Sequence, residues 1–187
     1  MDTTDRITEA EYLVRERAAE YRSEYLDGRI RALAGASDTH IFIVASLVAL
    51  LWPQLRRGPC RVGSSDMRVK VSATGLYTYP DVVIVCGRAQ MEDEHADTLL
   101  NPVVILEVLS PSTEAYDRGE KFAHYRRLDS LREYVLVAQD RMRVEHFARE
   151  RNWAPVTLEA PDSVMALATI GCALPLADIY ERIELKR

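Results

Sequence analysis

The chain has little lysine. Only three of its 24 basic residues are lysines, Lys70, Lys121 and Lys186, and the others are arginines. A coding bias toward arginine accounts for most of this imbalance. The two side chains differ chemically, however, because the compact ammonium of lysine changes its pKa readily when it is buried. Each lysine kept in this chain is therefore a candidate for a specific role.

Positive charge and cysteine are also scarce. The 24 basic residues face 29 acidic ones, for a net charge of −5, whereas dedicated nucleic-acid binders are usually basic. The three cysteines, Cys60, Cys86 and Cys172, have no C-x-x-C spacing and no neighbouring histidine. We therefore expect neither a zinc framework nor a disulfide set, with Cys86 as a core thiol. An odd cysteine count is typical of a reducing cytosol, so we predict a cytoplasmic protein.

Several motifs are missing as well. There is no apolar signal-peptide core near the N-terminus, and the longest apolar stretch, 41–52, is shorter than a bilayer requires. We therefore expect no membrane association. The chain has no Gly-x-Ser-x-Gly sequence and no glycine-rich phosphate loop, which argues against a serine hydrolase and a P-loop nucleotidase. The spacing of the histidines argues against a zinc enzyme.

What the sequence does contain is a regular alternation of apolar segments. Its 187 residues, 48% of them hydrophobic, suit one domain (1–187) with a core at 7–182 and short tails at 1–6 and 183–187. The order of segments predicts an α/β or α+β fold with a mixed central sheet flanked by helices. We expect helices over 8–22, 38–51 and 111–128, a hairpin at 24–30, strands over 66–71, 76–86, 103–109, 133–138, 143–148 and 153–158, and a helical turn at 178–182. The helix that ends near Pro53 is apolar on nearly every face and is predicted to be buried.

Two carboxylates interrupt apolar strands. Asp81 directly precedes Val82-Val83-Ile84-Val85, and Glu107 lies inside the run 103–109. A buried carboxylate is costly unless it is paired, hydrogen-bonded or bound to a metal ion. Asp81 could instead cap a turn after Pro80, and Glu107 could pair with an arginine. Two such acids near the ends of adjacent strands favour a site for a hard cation such as Mg²⁺.

A second group lies on the next predicted helix. Asp117, Lys121 and Tyr125 are spaced i, i+4, i+8 and so share one helix face. They form either a surface ion pair with a tyrosine packed below it, or a functional group that uses one of the three lysines.

Together these residues form an ordered set of motifs. It comprises Tyr79-Pro80-Asp81-Val82-Val83, the segment 106–113 with Glu107, then Asp117, Lys121 and Tyr125, supported by 7–12, 24–29, His40 and 133–137. Over residues 7–182 this set resembles the Uma2 family (the DUF820 group), which is assigned to the PD-(D/E)XK nuclease superfamily of restriction-endonuclease-like folds.

The resemblance implies a metal site and a catalytic lysine. Asp81, Glu107 and the Val108 carbonyl would hold Mg²⁺ or Mn²⁺. The superfamily places a lysine two residues after the Glu, where this chain has Leu109, so the resemblance implies a migrated lysine, Lys121, as the third catalytic residue with Asp81 and Glu107. The accessory residues that it adds are Glu24, Asp117, Tyr125 and His40.

Three functions remain open from the sequence. The first is a Mg²⁺-dependent endonuclease that hydrolyses DNA phosphodiester bonds, with a homodimer as one way of cutting both strands. The second, prompted by Leu109, is a catalytically weak nuclease-fold protein that binds nucleic acid or a partner protein. The third is a homo-oligomeric scaffold in which arginines pair with Asp81 and Glu107. The acidic net charge does not exclude a phosphate-binding face, because the basic residues are concentrated in 56–88 and 115–151.

Overall fold

The computed structural model describes residues 6–185. In chain order the elements are α1 (Glu9–Ala18), β1 (Ser23–Leu26), β2 (Arg29–Ala32), α2 (Asp38–Leu55), β3 (Cys60–Ser64), β4 (Arg68–Val71), β5 (Leu76–Thr78), β6 (Val82–Cys86), β7 (Thr98–Leu99), β8 (Val104–Leu109), α3 (Glu114–Tyr116), a π-helical turn (Asp117–Lys121), α4 (Phe122–Tyr125), β9 (Glu133–Ala138), β10 (Val144–Ala148), β11 (Pro155–Leu158), β12 (Val164–Leu167), β13 (Cys172–Pro175) and α5 (Leu176–Ile179). This is the mixed α+β architecture that the segment order predicts.

A six-stranded sheet forms the centre of the molecule, in the order β11-β10-β9-β8-β6-β3. Strands β8 and β9 are parallel and the other neighbours are antiparallel. One face packs against α2, and the other packs against Phe122 and Tyr125 of α4. Because β8 and β9 are covered on both faces, they read as continuous apolar runs, as buried strands do.

A second sheet has five strands in the order β2-β1-β5-β4-β7. Its hairpin β1–β2 turns at Asp27 and Gly28, which both have positive φ, 48° and 79°. Two positive φ values are what a two-residue hairpin turn requires, so the predicted hairpin is confirmed. The strands β12 and β13 form a separate pair that the sequence patterns did not predict.

The prediction of a single strand over 76–86 is wrong. The segment contains two strands, which belong to different sheets. Strand β5 belongs to the five-stranded sheet, whereas β6 belongs to the central sheet. Tyr79, Pro80 and Asp81 connect them. Pro80 has no N–H to donate to a ladder, so it suits the point where the chain leaves one sheet for the other. Asp81 therefore lies at the junction of the two sheets.

Two helix predictions also need correction. Helix α1 begins at the expected capping box of Thr8 and Glu11 but ends at Ala18 rather than at residue 22. Helix α2 continues through Pro53 to Leu55. It is also not buried on every face: Phe42 and Trp52 are 60% and 58% exposed. Its buried residues are confined to one side.

Helix α2 is, by length and composition, apolar enough to cross a bilayer, although the run 41–52 within it is short. A core helix of a water-soluble protein meets the same criteria. Here Ile43, Leu47 and Leu51 pack into the core cluster of the central sheet. The expected absence of membrane association stays a prediction.

The prediction that the cysteines form no disulfide is contradicted. Cys60 and Cys86 are bonded to each other, and only Cys172 of the described cysteines is free. The two bonded residues lie directly opposite each other on the antiparallel strands β3 and β6. Sequence spacing could not show this pairing, because the sheet register alone brings the two positions together.

Candidate functional site

A cleft of about 910 Å³ opens where the two large sheets meet. Its walls come from the end of α1 and the residues 19–22 after it, from 33–37 with the start of α2, from Asp81 and the end of β8, and from the segment 110–121. Asp81, Glu107, Val108, Lys121 and His40 all line it, together with Asp117. Residues that the sequence singled out at distant positions are therefore collected in one cavity.

Asp81 and Glu107 are neighbours because of the register of β6 and β8. Val82 lies opposite Leu106 in this antiparallel pair, so the preceding Asp81 lies next to the following Glu107. The Asp81 N–H donates to Glu107 Oε2 over 3.3 Å. Glu107 lies between apolar residues of a fully buried strand, which leaves its side chain 3% exposed. The two acids thus lie side by side at adjacent strand ends, with Glu107 buried and Asp81 only half-buried.

Two donors fix the orientation of Asp81. Its Oδ2 accepts from the Val108 N–H over 2.7 Å and lies 3.1 Å from His40 Nε2. His40 reaches this position from the first turn of α2, whose N-terminus is capped by Ser37. Both contacts use the same oxygen, so Oδ1 has no partner among residues 6–185.

Lys121 lies among three carboxylates. Its Nζ is 2.9 Å from Glu107 Oε1, 3.3 Å from Glu24 Oε1 and 3.5 Å from Asp117 Oδ1. Asp117 and Lys121 are the first and last residues of the π-helical turn. Such turns are uncommon and occur frequently at functional sites. This turn points both side chains into the cleft, so the interpretation as a surface ion pair is wrong.

Tyrosine and threonine hydroxyls complete the hydrogen bonding. The Tyr125 hydroxyl donates to Glu107 Oε1 over 2.9 Å. The Thr78 hydroxyl donates to Glu24 Oε1. Sequence reasoning missed Thr78, whose only signal is its position as the last residue of a strand, three residues before Asp81. All eight residues named from the sequence, including the Val108 backbone, therefore lie in or next to one cluster.

The cluster has too little positive charge for its carboxylates. Burial, with the charges of Asp81 and Asp117, raises the pKa of Glu107 to about 8, although Lys121 opposes the shift. Burial likewise raises the pKa of Asp117. Burial by itself would lower the pKa of Lys121, but the surrounding carboxylates hold it well above its ordinary value. The site thus has an electrostatic preference for an additional cation.

The donor set fits a hard divalent cation. Mg²⁺ is usually held by one or two carboxylates, with waters and substrate phosphates as its remaining ligands. Asp81 and Glu107 supply two carboxylates, and the Val108 carbonyl is adjacent. Among residues 6–185 there is no group of three or more His, Cys, Asp or Glu side chains arranged to hold a metal ion. The described part of the chain therefore offers no all-protein metal cage.

The scaffold hypothesis requires arginines that pair with Asp81 and Glu107. Within the described part of the chain neither acid is paired with an arginine. Glu107 contacts Lys121, and Asp81 contacts His40. Leu109 is buried in the core cluster on the α4 side of the sheet. Residues two apart on a strand share one face, so Glu107 and Leu109 lie on the same face of the sheet. Lys121, which contacts Glu107, reaches this face from the following helix.

Comparison with known proteins now settles the family. The family model described as "Uma2: Putative restriction endonuclease" matches residues 9–177. This chain belongs to the Uma2 family. An uncharacterized protein of Synechocystis (slr1290) is 34% identical over 177 residues, which are 94% of this chain and 92% of that one. A second uncharacterized Synechocystis protein (sll1609) is 37% identical over 153 residues, 81% of this chain and 86% of that one.

A solved structure has the same fold. It is described as a putative nuclease belonging to DUF820 from Anabaena variabilis, and it superposes with a TM-score of 0.79. The match covers 95% of this chain and 99% of that one at 18% identity. The restriction-endonuclease-like fold expected for this Uma2 chain is thereby confirmed. Families of this type generally use divalent metal ions, in agreement with the donor set described above.

Proposed function

We propose that this Uma2 protein is a Mg²⁺- or Mn²⁺-dependent endonuclease that hydrolyses phosphodiester bonds of DNA. The observation that supports it most strongly is the pair of adjacent carboxylates, Asp81 and Glu107, with the buried ammonium of Lys121 2.9 Å from Glu107. Buried acids next to a lysine in an open cleft are the groups that metal-assisted hydrolysis needs.

In this proposal Asp81, Glu107 and the Val108 carbonyl hold the metal ion. When bound, the ion lowers the pKa of a water molecule and neutralises charge on the phosphate. Lys121 orients that water or donates to the phosphate oxygen as negative charge develops. Tyr125 holds Glu107 by a hydrogen bond, and the Val108 N–H and His40 hold Asp81.

The test is cleavage of supercoiled plasmid in Mg²⁺ or Mn²⁺ by the native protein, Asp81→Asn and Glu107→Gln. Removing either carboxylate costs several kcal/mol of transition-state stabilisation, so we expect a loss of about 100-fold or more. Glu120→Gln is the matched control, because Glu120 is an exposed residue of the same π-helical turn as Lys121. It should cleave like the native protein. Equal nicking by all four proteins would mean a contaminating nuclease and would contradict the proposal.

A second function is favoured by Leu109 and by the engagement of Lys121 with three carboxylates. It is a nuclease-fold protein without efficient catalysis that binds nucleic acid or a partner protein. Calorimetric titration with Mn²⁺ separates the two. Binding that is lost in Asp81→Asn supports the nuclease, whereas no heat at millimolar metal, together with retained DNA binding, supports the second function.

A further inference from the structure

Helix α2 has an apolar stripe that faces away from the core. Phe42 is 60% exposed, Trp52 58% and Ile41 54%. The α2 stripe consists of Ile41, Phe42, Ala45, Ala49, Trp52 and Pro53, all of which are exposed. Single exposed apolar residues are ordinary, but a contiguous stripe on one element marks an interaction surface.

The sizes of the side chains in the α2 stripe are symmetric about its middle. Large residues lie at both ends, whereas Ala45 and Ala49 lie at the centre. If a second copy of α2 packs antiparallel across the stripe, Ala45 of each copy lies opposite Ala49 of the other. Ile41 then lies beside Trp52, and Phe42 beside Pro53. Small residues at the centre let the two helix axes approach to about 8 Å, the close end of the usual range.

Charge complementarity specifies the same arrangement. Asp38, in the first turn of α2, and Arg56, the residue that follows the helix, are both exposed. Neither forms a salt bridge within residues 6–185. They are about five helical turns apart, so they lie on one line along the helix. That line runs through the middle of the α2 stripe.

An antiparallel pair places Asp38 of each copy opposite Arg56 of the other, which gives two pairs of opposite charges. A parallel pair would instead place Asp38 opposite Asp38 and Arg56 opposite Arg56. The antiparallel order also opposes the two helix dipoles. Both the sizes and the charges of this face are thus complementary to a second copy of the same face, which is the property of a two-fold symmetric interface.

We propose that the α2 stripe is the interface of a homodimer in which two α2 helices pack antiparallel. A single helix pair buries less than the roughly 1,600 Å² of a standard interface, so a micromolar dissociation constant is expected. The proposal is independent of nuclease activity. His40 and Ile41, at the start of the same helix, line the cleft, so each cleft of the dimer lies beside the interface.

The first experiment measures molar mass by sedimentation equilibrium and light scattering, from about 1 to 200 μM protein. We expect the native protein to change from monomer to dimer over this range. Ala45→Glu places two like charges, one from each copy, at the centre of the interface and should be monomeric throughout. Val14→Glu is the matched control, because Val14 is a 70% exposed apolar residue on α1. It should dimerise like the native protein, and thermal unfolding monitored by circular dichroism verifies that both variants fold.

A charge-reversal cycle identifies the occupant as a second copy. Asp38→Arg and Arg56→Asp each replace two attractions with two repulsions, which should weaken dimerisation about 10-fold. The double variant restores opposite charges across the interface, so its dissociation constant should return to within about twofold of the native value.

Three results would overturn the proposal. The first is a native protein that stays monomeric at about 200 μM. The second is a dimer that Ala45→Glu leaves intact. The third is a monomer that floats with lipid vesicles through Phe42 and Trp52, because the occupant of the α2 stripe would then be a membrane surface.

Discussion

At the scale of single residues, the candidate site depends on a balance between carboxylates and two basic side chains. Glu107 and Asp81 lie next to each other, a costly arrangement unless each has a partner. Glu107 has Lys121 and Asp81 has His40. Because these partners differ in chemistry, they respond differently to pH and to substitution.

His40 should make stability depend on pH. Burial by itself would lower its pKa, but the hydrogen bond to Asp81 and the charge of Asp81 raise it above the ordinary value. A group whose pKa is raised on folding stabilises the protein fully below its unfolded pKa, about 6.5, and loses this contribution as pH rises through the folded value. A hydrogen bond between charged groups contributes about 1.5–3 kcal/mol.

Urea unfolding of the native protein and of His40→Gln from pH 5.5 to 8.5 measures this effect. The difference in unfolding free energy between the two proteins should be largest at the acidic end and should shrink with rising pH. An equal difference at every pH would contradict the assignment. Tyr21→Phe is the control. Its unfolding free energy should differ from the native value by the same small amount at every pH, because Tyr21 is exposed and does not contact Asp81 or His40.

Removal of Lys121 should destabilise the protein less at low pH than at high pH, which is the opposite of the pH dependence expected for His40→Gln. Lys121→Met leaves the carboxylates of Glu107, Glu24 and Asp117 without their cation, and breaking a buried pair costs about 3–5 kcal/mol. Because Glu107 has a pKa of about 8, it is neutral at pH 5 and the cost should then be smaller. Lys70→Met, which disrupts pairs with the more exposed Glu9 and with Glu92, is the control. A loss for Lys121→Met that is the same at pH 5 and pH 8 would contradict this reasoning.

At the scale of elements, the hairpin β1–β2 positions the buried Glu24 beside Lys121. Gly28 has φ +79°, and a Cβ there would lie 2.6 Å from the Arg6 Cβ. Gly28→Ala should therefore lower the free energy of unfolding by about 1–2 kcal/mol. Gly35→Ala is the control, since a Cβ at Gly35 would meet no atom of the described residues within 4 Å beyond its chain neighbours, and its effect should stay within about 0.5 kcal/mol. Chemical denaturation measures the unfolding free energies of both variants. Equal values for Gly28→Ala and Gly35→Ala would contradict the expected strain at Gly28.

Elements differ in how well their sequences predict them. Strand β9 has the predicted bounds, 133–138, because a strand buried on both faces is apolar at nearly every position. The break between β5 and β6 was not predicted, since only Tyr79-Pro80-Asp81 separates the two apolar segments and local sequence does not show that their sheet partners differ. Helix α2 is longer than predicted because it continues through Pro53, where Ala49 and Pro53 are both exposed and water can bind the Ala49 carbonyl that loses its N–H partner.

At the scale of the whole molecule, the bond between Cys60 and Cys86 joins an edge strand of the central sheet to its neighbour. Thiol titration in denaturant without reductant should find one thiol, Cys172, and three after reduction. The bond closes a loop of 26 residues, so reduction should lower the free energy of unfolding by about 3 kcal/mol. Three thiols before reduction would show that the chain is reduced as isolated, in line with the predicted cytoplasmic location.

The sequence by itself determined which chemical groups this Uma2 protein has available and the order of its segments. Acids in apolar runs stand out in a sequence because burying a charge is costly, so Asp81 and Glu107 were recognisable without a structure. The tertiary structure alone decided their neighbours. The register of β6 against β8 brings the two acids together, and the π-helical turn brings Lys121 to Glu107. These contacts join positions far apart in the chain, and local patterns of hydrophobicity and charge contain no information about which strands pair or how a helix is turned.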